Sequence, residues 1–190
     1  MHVLGISGSP SARSRSGWLL DLALARLEGH VDSRSSVAVR SLPGSALLAA
    51  DAHDPAIREA IGQVEASDLV VVATPIYKAS YSGLLKLFLD LLPNDVLRGK
   101  TVLPLATGGS LAHMLALDYA LKPVLSALGA RDILDGVYAT DAQLVAKVAV
   151  AKVAVANVAV AKVAAYVPSD DLVERLDRAL RPVLREGVGV

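Results

Sequence analysis

The stretch Asp68-Leu69-Val70-Val71-Val72-Ala73-Thr74 constrains this chain more than any other segment. Its five consecutive apolar residues leave no polar face, and Pro75 follows at once. A half-buried strand alternates polar with apolar. A strand apolar on both sides suits the centre of a parallel sheet covered by helices on each face. Strand-like and helix-like segments alternate around it, as such a sheet requires.

The segments can be placed one by one. His2–Ser7 is a short apolar run ending at Gly8-Ser9-Pro10, and Ser14–Glu28 carries Trp18, Leu19, Leu22, Leu24 and Leu27 at roughly helical spacing. Val37–Leu42 is a second, weaker strand. Pro55–Ala66 reads as a helix with Pro55 suited to its first turn. Beyond the central strand, Ser80–Leu92 reads as helix, Thr101–Ala106 as strand, Leu111–Leu128 as helix and Asp132–Tyr138 as strand. Ser169–Arg185 closes the chain as a helix, with Ser169 as N-cap before Asp170 and Asp171. The expectation is an α/β fold, a doubly wound five-stranded parallel sheet in the order 2-1-3-4-5 with helices on both faces. At 190 residues the chain is expected to form one domain.

Residues 145–164 break the pattern. They repeat a five-residue unit, VAKVA, VAKVA, VANVA, VAKVA. Period five matches neither helix nor strand, because successive Lys147, Lys152, Asn157 and Lys162 wander around a helix and change face at each step of a strand. A membrane span is excluded on magnitudes: three lysines cost roughly 8 kcal/mol on the insertion scale, against about 3 kcal/mol gained from eight valines. The segment reads as an expanded arm before the closing helix. Its valines favour extended structure and its lysines guard against edge pairing.

Charge and composition narrow the function. Lys plus Arg equals Asp plus Glu at 19 each, so bulk charge does not hold this chain to nucleic acid or to an anionic membrane. The absence of cysteine excludes disulfide scaffolds, thiolate metal sites and cysteine nucleophiles. The N-terminal run lacks a basic region and does not read as a signal peptide, so a cytoplasmic protein is expected.

Chemistry is expected at the C-terminal ends of the strands, where ligands bind in open α/β sheets. After the first strand, Gly8 to Ser16 brings hydroxyls, free backbone N–H groups and Arg13 and Arg15 to a helix N-terminus. That arrangement either binds an anion or merely caps the helix. The loop matches neither G-x-x-x-x-G-K-[ST] nor G-x-G-x-x-G, which disfavours an ATP P-loop and a Rossmann fingerprint. After the third strand comes Thr74 to Gly83, with Tyr77 as a flat amphipathic surface. After the fourth comes Thr107-Gly108-Gly109-Ser110, whose glycines admit a planar ligand close to the backbone. Of seven aromatic residues, Tyr77, Tyr81 and Tyr119 fall in or just beyond these two loops. An anion loop beside two ring-flanking loops suits a flavin mononucleotide.

The stretches SGSPSARSRS, ATPIYKASYSGLLKLFLDLLP and GKTVLPLATGGSLAHMLALDYALKPVLSALGAR resemble the NADPH-dependent FMN reductases of the flavodoxin-like superfamily. They are most similar to the reductase component of two-component alkanesulfonate monooxygenase systems. The resemblance covers roughly residues 1–143, and the VAKVA repeat departs from it. It implies hydride transfer from NADPH, or NADH, to FMN, and release of reduced flavin to a separate flavin-dependent monooxygenase. By the same resemblance Ser9, Ser14, Arg15 and Ser16 would hold the FMN phosphate. Pro75, Ile76 and Tyr77 would line one side of the ring, with Thr107, Gly108 and Gly109 near its other edge. No catalytic acid or base is implied, since hydride transfer needs stacking and alignment above all. His113 reads as a packing or interface residue. Tyr119, in the D-Y-A-L-K-P stretch, is either an ordinary core or interface aromatic or, as the resemblance implies, lies on a π-bulge, faces the flavin region across a tetramer interface and keeps flavin exchangeable. A homodimer or homotetramer is therefore expected. Two other readings stay open: a quinone or azo-dye reductase that retains FMN, and a flavodoxin-type electron carrier, which the zero net charge disfavours.

Overall fold

The computed structural model describes residues 1–148 and 164–186. In chain order the elements are β1 (His2–Ser7), α1 (Arg15–Arg26), β2 (Ser33–Ala38), α2 (Gly44–Leu48), α3 (Pro55–Ala66), β3 (Leu69–Tyr77) and β4 (Ser80–Tyr81). There follow α4 (Gly83–Leu89), β5 (Thr101–Gly108), α5 (Lys122–Ala127), β6 (Asp132–Ile133), β7 (Val137–Thr140), β8 (Leu144–Val148), β9 (Ala164–Pro168) and α6 (Asp170–Glu186).

The main sheet runs β2-β1-β3-β5, with β6 and then β7 pairing in parallel along the outer side of β5. Counting β6 and β7 as one interrupted strand gives five parallel positions in the expected order 2-1-3-4-5. The central apolar run behaves as its composition requires. Leu69, Val71 and Ala73 pack with Leu19, Leu20 and Ala23 of α1 and with Leu172, Leu176 and Leu180 of α6. Val70 and Val72 point the other way, into a layer with Ile57 and Ile61 of α3, Phe88 of α4 and Leu125 of α5. Strand alternation thus feeds two cores, one on each face.

Local signals set several boundaries. Asp54 caps α3 by accepting from the N–H groups of Ala56 and Ile57 at 2.9 and 3.2 Å, with Pro55 in the first turn. Other boundaries depart from the sequence reading. The second strand lies at Ser33–Ala38 rather than Val37–Leu42, because pairing with β1 from His2↔Ser33 to Ser7↔Ala38 decides it. Residues Val39–Ser41 form a 3-10 turn instead. The central strand does not stop at Pro75; it continues to Tyr77 and turns back through Lys78 and Ala79, both at positive φ, into β4. Helix α4 therefore starts only at Gly83.

The expected helix over Leu111–Leu128 is three pieces: a 3-10 turn at Leu111–His113, a π-helical turn at Leu117–Leu121, and α5. The strand expected at Asp132–Tyr138 is broken between Ile133 and Val137. Most of the VAKVA repeat lies outside the described residues. Its ends do not: β8 and β9 pair antiparallel, from Leu144↔Pro168 to Val148↔Ala164.

Candidate functional site

Strands β1, β3 and β5 end side by side, and the loops leaving them are locked together by buried hydroxyls. The Ser82 hydroxyl donates to the Gly8 carbonyl at 2.5 Å, while the Ser82 N–H donates to the Thr74 hydroxyl at 3.0 Å. The loop after β1 and the loop after β3 therefore keep one mutual position. Gly8 is packed so tightly that a Cβ there would lie 2.6 Å from that of Leu85.

The anion loop is built on the start of α1. Ser14 is the N-cap, its hydroxyl accepting from the Gly17 N–H at 2.9 Å. The N–H groups of Arg15 and Ser16, with no acceptor inside the helix, remain available at the helix's positive end. Ser9 is 1% exposed, and its hydroxyl accepts from the Ser11 N–H at 3.2 Å. The loop so held both caps the helix and leaves these N–H groups facing the strand ends.

The loop after β5 is fixed differently. Tyr138, buried on β7, donates its hydroxyl to the Ser110 carbonyl at 2.7 Å. A Cβ on Gly108 would lie 2.2 Å from that hydroxyl, so this glycine makes room for Tyr138. Gly109 has nothing within 4 Å of the corresponding position, leaving its side open to a ligand.

A cavity of about 240 Å³ lies where these loops meet. Ser9, Ser14, Arg15 and Ser16 border it from the first loop, Pro75, Ile76 and Tyr77 from the second, and Thr107, Gly108 and Gly109 from the third. All ten residues picked out in the sequence thus surround one space. Tyr119 does not border it. It stands 79% exposed on the π-helical turn, whose Leu117 and Leu121 are buried and whose Asp118 pairs with Lys122 at 2.6 Å. His113, in the 3-10 turn, is also outside the cavity wall.

Four further residues complete the wall: Ser11, Arg13, Asp141 and Tyr166. Asp141 follows β7, at the C-terminal edge of the fifth sheet position, and the strand-end rule reaches it. Tyr166 lies on β9, beyond the repeat, where no local pattern marks it. Its ring packs edge-on to Trp18 at 6.1 Å, with the Arg15 guanidinium 5.6 Å from its centre. Arg15 also lies 3.4 Å from the Asp141 carboxylate and 3.4 Å from the Leu144 carbonyl. A larger neighbouring cavity of about 480 Å³ shares Ser11, Arg13, Ser14 and Tyr166 with the first.

The turn carrying Asp141 is braced. Gln143 accepts from the Thr140 N–H at 2.9 Å and donates to Asp171 at 2.7 Å. The Ser169 hydroxyl, followed by Arg175 and Gln143, holds the Asp171 carboxyl below the usual carboxylate range. Chemically, one end of the cavity offers arginines, hydroxyls and helix N–H groups to an anion, and the other offers Tyr77 and open backbone to a flat ring. Among the described residues, no cluster of histidine and carboxylate groups could hold a metal ion.

Comparison with known proteins places the chain. The family model for NADPH-dependent FMN reductase matches residues 1–145. An Escherichia coli K12 protein named FMN reductase (NADPH) is 49% identical over 145 residues, 76% of each chain. The NADH-dependent FMN reductase SfnE of Pseudomonas putida is 36% identical over 149 residues, 76% of this chain and 79% of its own. Among solved structures, the apo form of the NADH:FMN oxidoreductase EMOB superposes with a TM-score of 0.79 at 37% identity, over 97% of this chain and 89% of that one. A flavodoxin from Streptococcus pneumoniae TIGR4, 12% identical with a TM-score of 0.61 over 97% of this chain and 98% of its own, shares the fold. The fold is flavodoxin-like, and the chain belongs to the NADPH-dependent FMN reductase family.

Proposed function

We propose that this protein transfers a hydride from NADPH, or from NADH, to FMN that it takes up and releases as a substrate. Bound FMN would supply the hydride-accepting ring. Ser9, Ser14, Arg15 and Ser16 would hold its phosphate, with Pro75, Ile76 and Tyr77 along one side of the ring and Thr107, Gly108 and Gly109 at the other edge. The observation that carries this reading is the meeting of these three loops around one cavity. Its residues suit the group: cationic and N–H donors at one end, a half-exposed tyrosine and an unobstructed glycine at the other. The reading assigns no catalytic acid or base to the wall, and alignment of two rings requires none.

Exchange rather than retention is what the resemblance implies, and the cavity of about 240 Å³ opens beside a second of about 480 Å³ that shares Ser11, Arg13, Ser14 and Tyr166. Reduced FMN would pass to a separate flavin-dependent monooxygenase of the alkanesulfonate type, as the resemblance of the three loop motifs implies. The chain would act as one domain in the cytoplasm. No helix among the described residues is long and apolar enough to cross a membrane. Assembly as a homodimer or homotetramer is supported by Leu111, Met114, Leu115 and Tyr119, four large exposed side chains within nine residues.

Stopped-flow oxidation of NADPH and of NADH, with and without added FMN, tests the reading. A colourless protein whose turnover depends on added FMN supports it. A yellow protein that turns over without added flavin, passing electrons to a quinone or azo dye, overturns it. So does a protein that binds flavin but oxidises neither nucleotide.

A further inference from the structure

Arg15 faces the cavity already engaged. Its three partners all come from the segment after β7: the Asp141 carboxylate and the Leu144 carbonyl, each at 3.4 Å, and the Tyr166 ring at 5.6 Å. Both polar contacts are longer than a good charged hydrogen bond, and the ion pair is half-exposed, so Arg15 is attracted without being clamped. The turn that carries Asp141 is held at the site, because Gln143 closes it onto Thr140 and ties it to Asp171 on α6. The wall of the cavity read as the phosphate site therefore carries a carboxylate of its own.

We propose that Asp141 sets the affinity for the flavin phosphate, competing with it for Arg15 and repelling it directly, so that FMN is held loosely enough to leave after reduction. This rests on reading the cavity as the FMN site. A bound phosphate would draw Arg15 off Asp141 and leave a carboxylate beside a phosphate dianion. Like charges so placed weaken the complex, and the penalty falls on ligands that carry the phosphate. A site meant to retain its flavin gains nothing from such a group; a site that must release it does.

The test compares FMN with riboflavin, which lacks the phosphate. Dissociation constants for both are measured by quenching of flavin fluorescence on the full chain and on Asp141→Asn and Asp141→Glu. Asp141→Asn keeps the shape and removes the charge. It should bind FMN about tenfold tighter, a change of about 1.4 kcal/mol, and riboflavin as before. Under steady-state turnover with added FMN, its KM for FMN and its kcat should both fall, because release becomes slow. Asp141→Glu, which keeps the charge, should stay within about twofold of the native chain. An FMN affinity unchanged in Asp141→Asn, or FMN and riboflavin shifted by the same factor, overturns the proposal while leaving the site assignment standing. A native chain that binds neither flavin, or riboflavin as well as FMN, overturns the assignment of the phosphate cradle itself.

Discussion

The hydroxyl of Tyr138 is bonded to the carbonyl of Ser110 at 2.7 Å and fills the space beside Gly108. One buried side chain from the fifth sheet position thus fixes the loop after β5 and requires a glycine as the last residue of that strand. Gly108→Ala should cost roughly 1–3 kcal/mol in urea unfolding, the usual range for forcing an extra methyl into a packed interior. Removing the hydroxyl in the double variant Gly108→Ala, Tyr138→Phe should recover part of that loss. Two losses that simply add would mean the clash is relieved elsewhere.

Arg15→Ala should weaken FMN binding about tenfold to a hundredfold and leave riboflavin little changed. A charged hydrogen bond to phosphate contributes about 1.5–3 kcal/mol, and the existing contact with Asp141 favours the lower end. Titration of both flavins checks it. Equal losses would move the phosphate elsewhere in the cavity.

The ends of the repeat matter more than its middle. Removing all of residues 145–164 deletes the strand that pairs with β9 and so unseats Tyr166 from the cavity wall. Replacing only 149–163 by Asn-Gly joins Val148 to Ala164, which already stand opposite each other, through a turn suited to a hairpin. The short-turn variant should reduce FMN at close to the native rate. The full deletion should lose flavin affinity. Steady-state assays on the two soluble proteins decide between them.

Tyr119→Ala should purify yellow and lose steady-state turnover while still accepting one hydride in a single-turnover experiment. Tyr119 lies outside the cavity of its own chain and is 79% exposed, so contact from a second copy is the route by which it would act on flavin exchange. Sedimentation measured alongside should show a change of assembly. A colourless variant with ordinary turnover and unchanged assembly makes this tyrosine a plain surface residue.

Acid should loosen the site from the α6 side. Asp171, with its carboxyl held below the ordinary value of 3.8 chiefly by the Ser169 hydroxyl, stabilises the folded chain above that value. The contribution disappears as pH falls through the lower, folded-state value. Asp171→Asn should therefore be less stable than the native chain by a constant amount at neutral pH, with the difference shrinking as pH falls below about 4, so that the acid limb of its stability–pH profile is flatter.

What the sequence reveals depends on whether a local pattern decides the outcome. The Leu69–Ala73 run, the Asp54-Pro55 start of α3 and the three loops at strand ends are governed by burial, capping and topology, and they are legible. Ser33-Arg34-Ser35-Ser36 carries no apolar alternation, and only its pairing with β1 makes it a strand. Lys78-Ala79 lacks the glycine or asparagine that announces a tight hairpin, so β4 is invisible beforehand. Leu111–Leu128 has helical spacing throughout, and spacing alone does not separate α from π or 3-10 turns. Asp141 was within reach of the strand-end rule. Tyr166 was not, because the repeat separates it from every recognisable motif.

The pairing of Val148 with Ala164 carries an evolutionary consequence. Chain inserted between two residues already held side by side changes closure entropy only logarithmically, by about 0.6 kcal/mol for each doubling of length. Copy number of a five-residue unit can then rise or fall by slippage of the coding DNA with little effect on the enzyme beneath. The identical units Val145-Ala149 and Val150-Ala154 are what such a history would leave. The same junction is where a foreign peptide or domain could be grafted without disturbing the three loops.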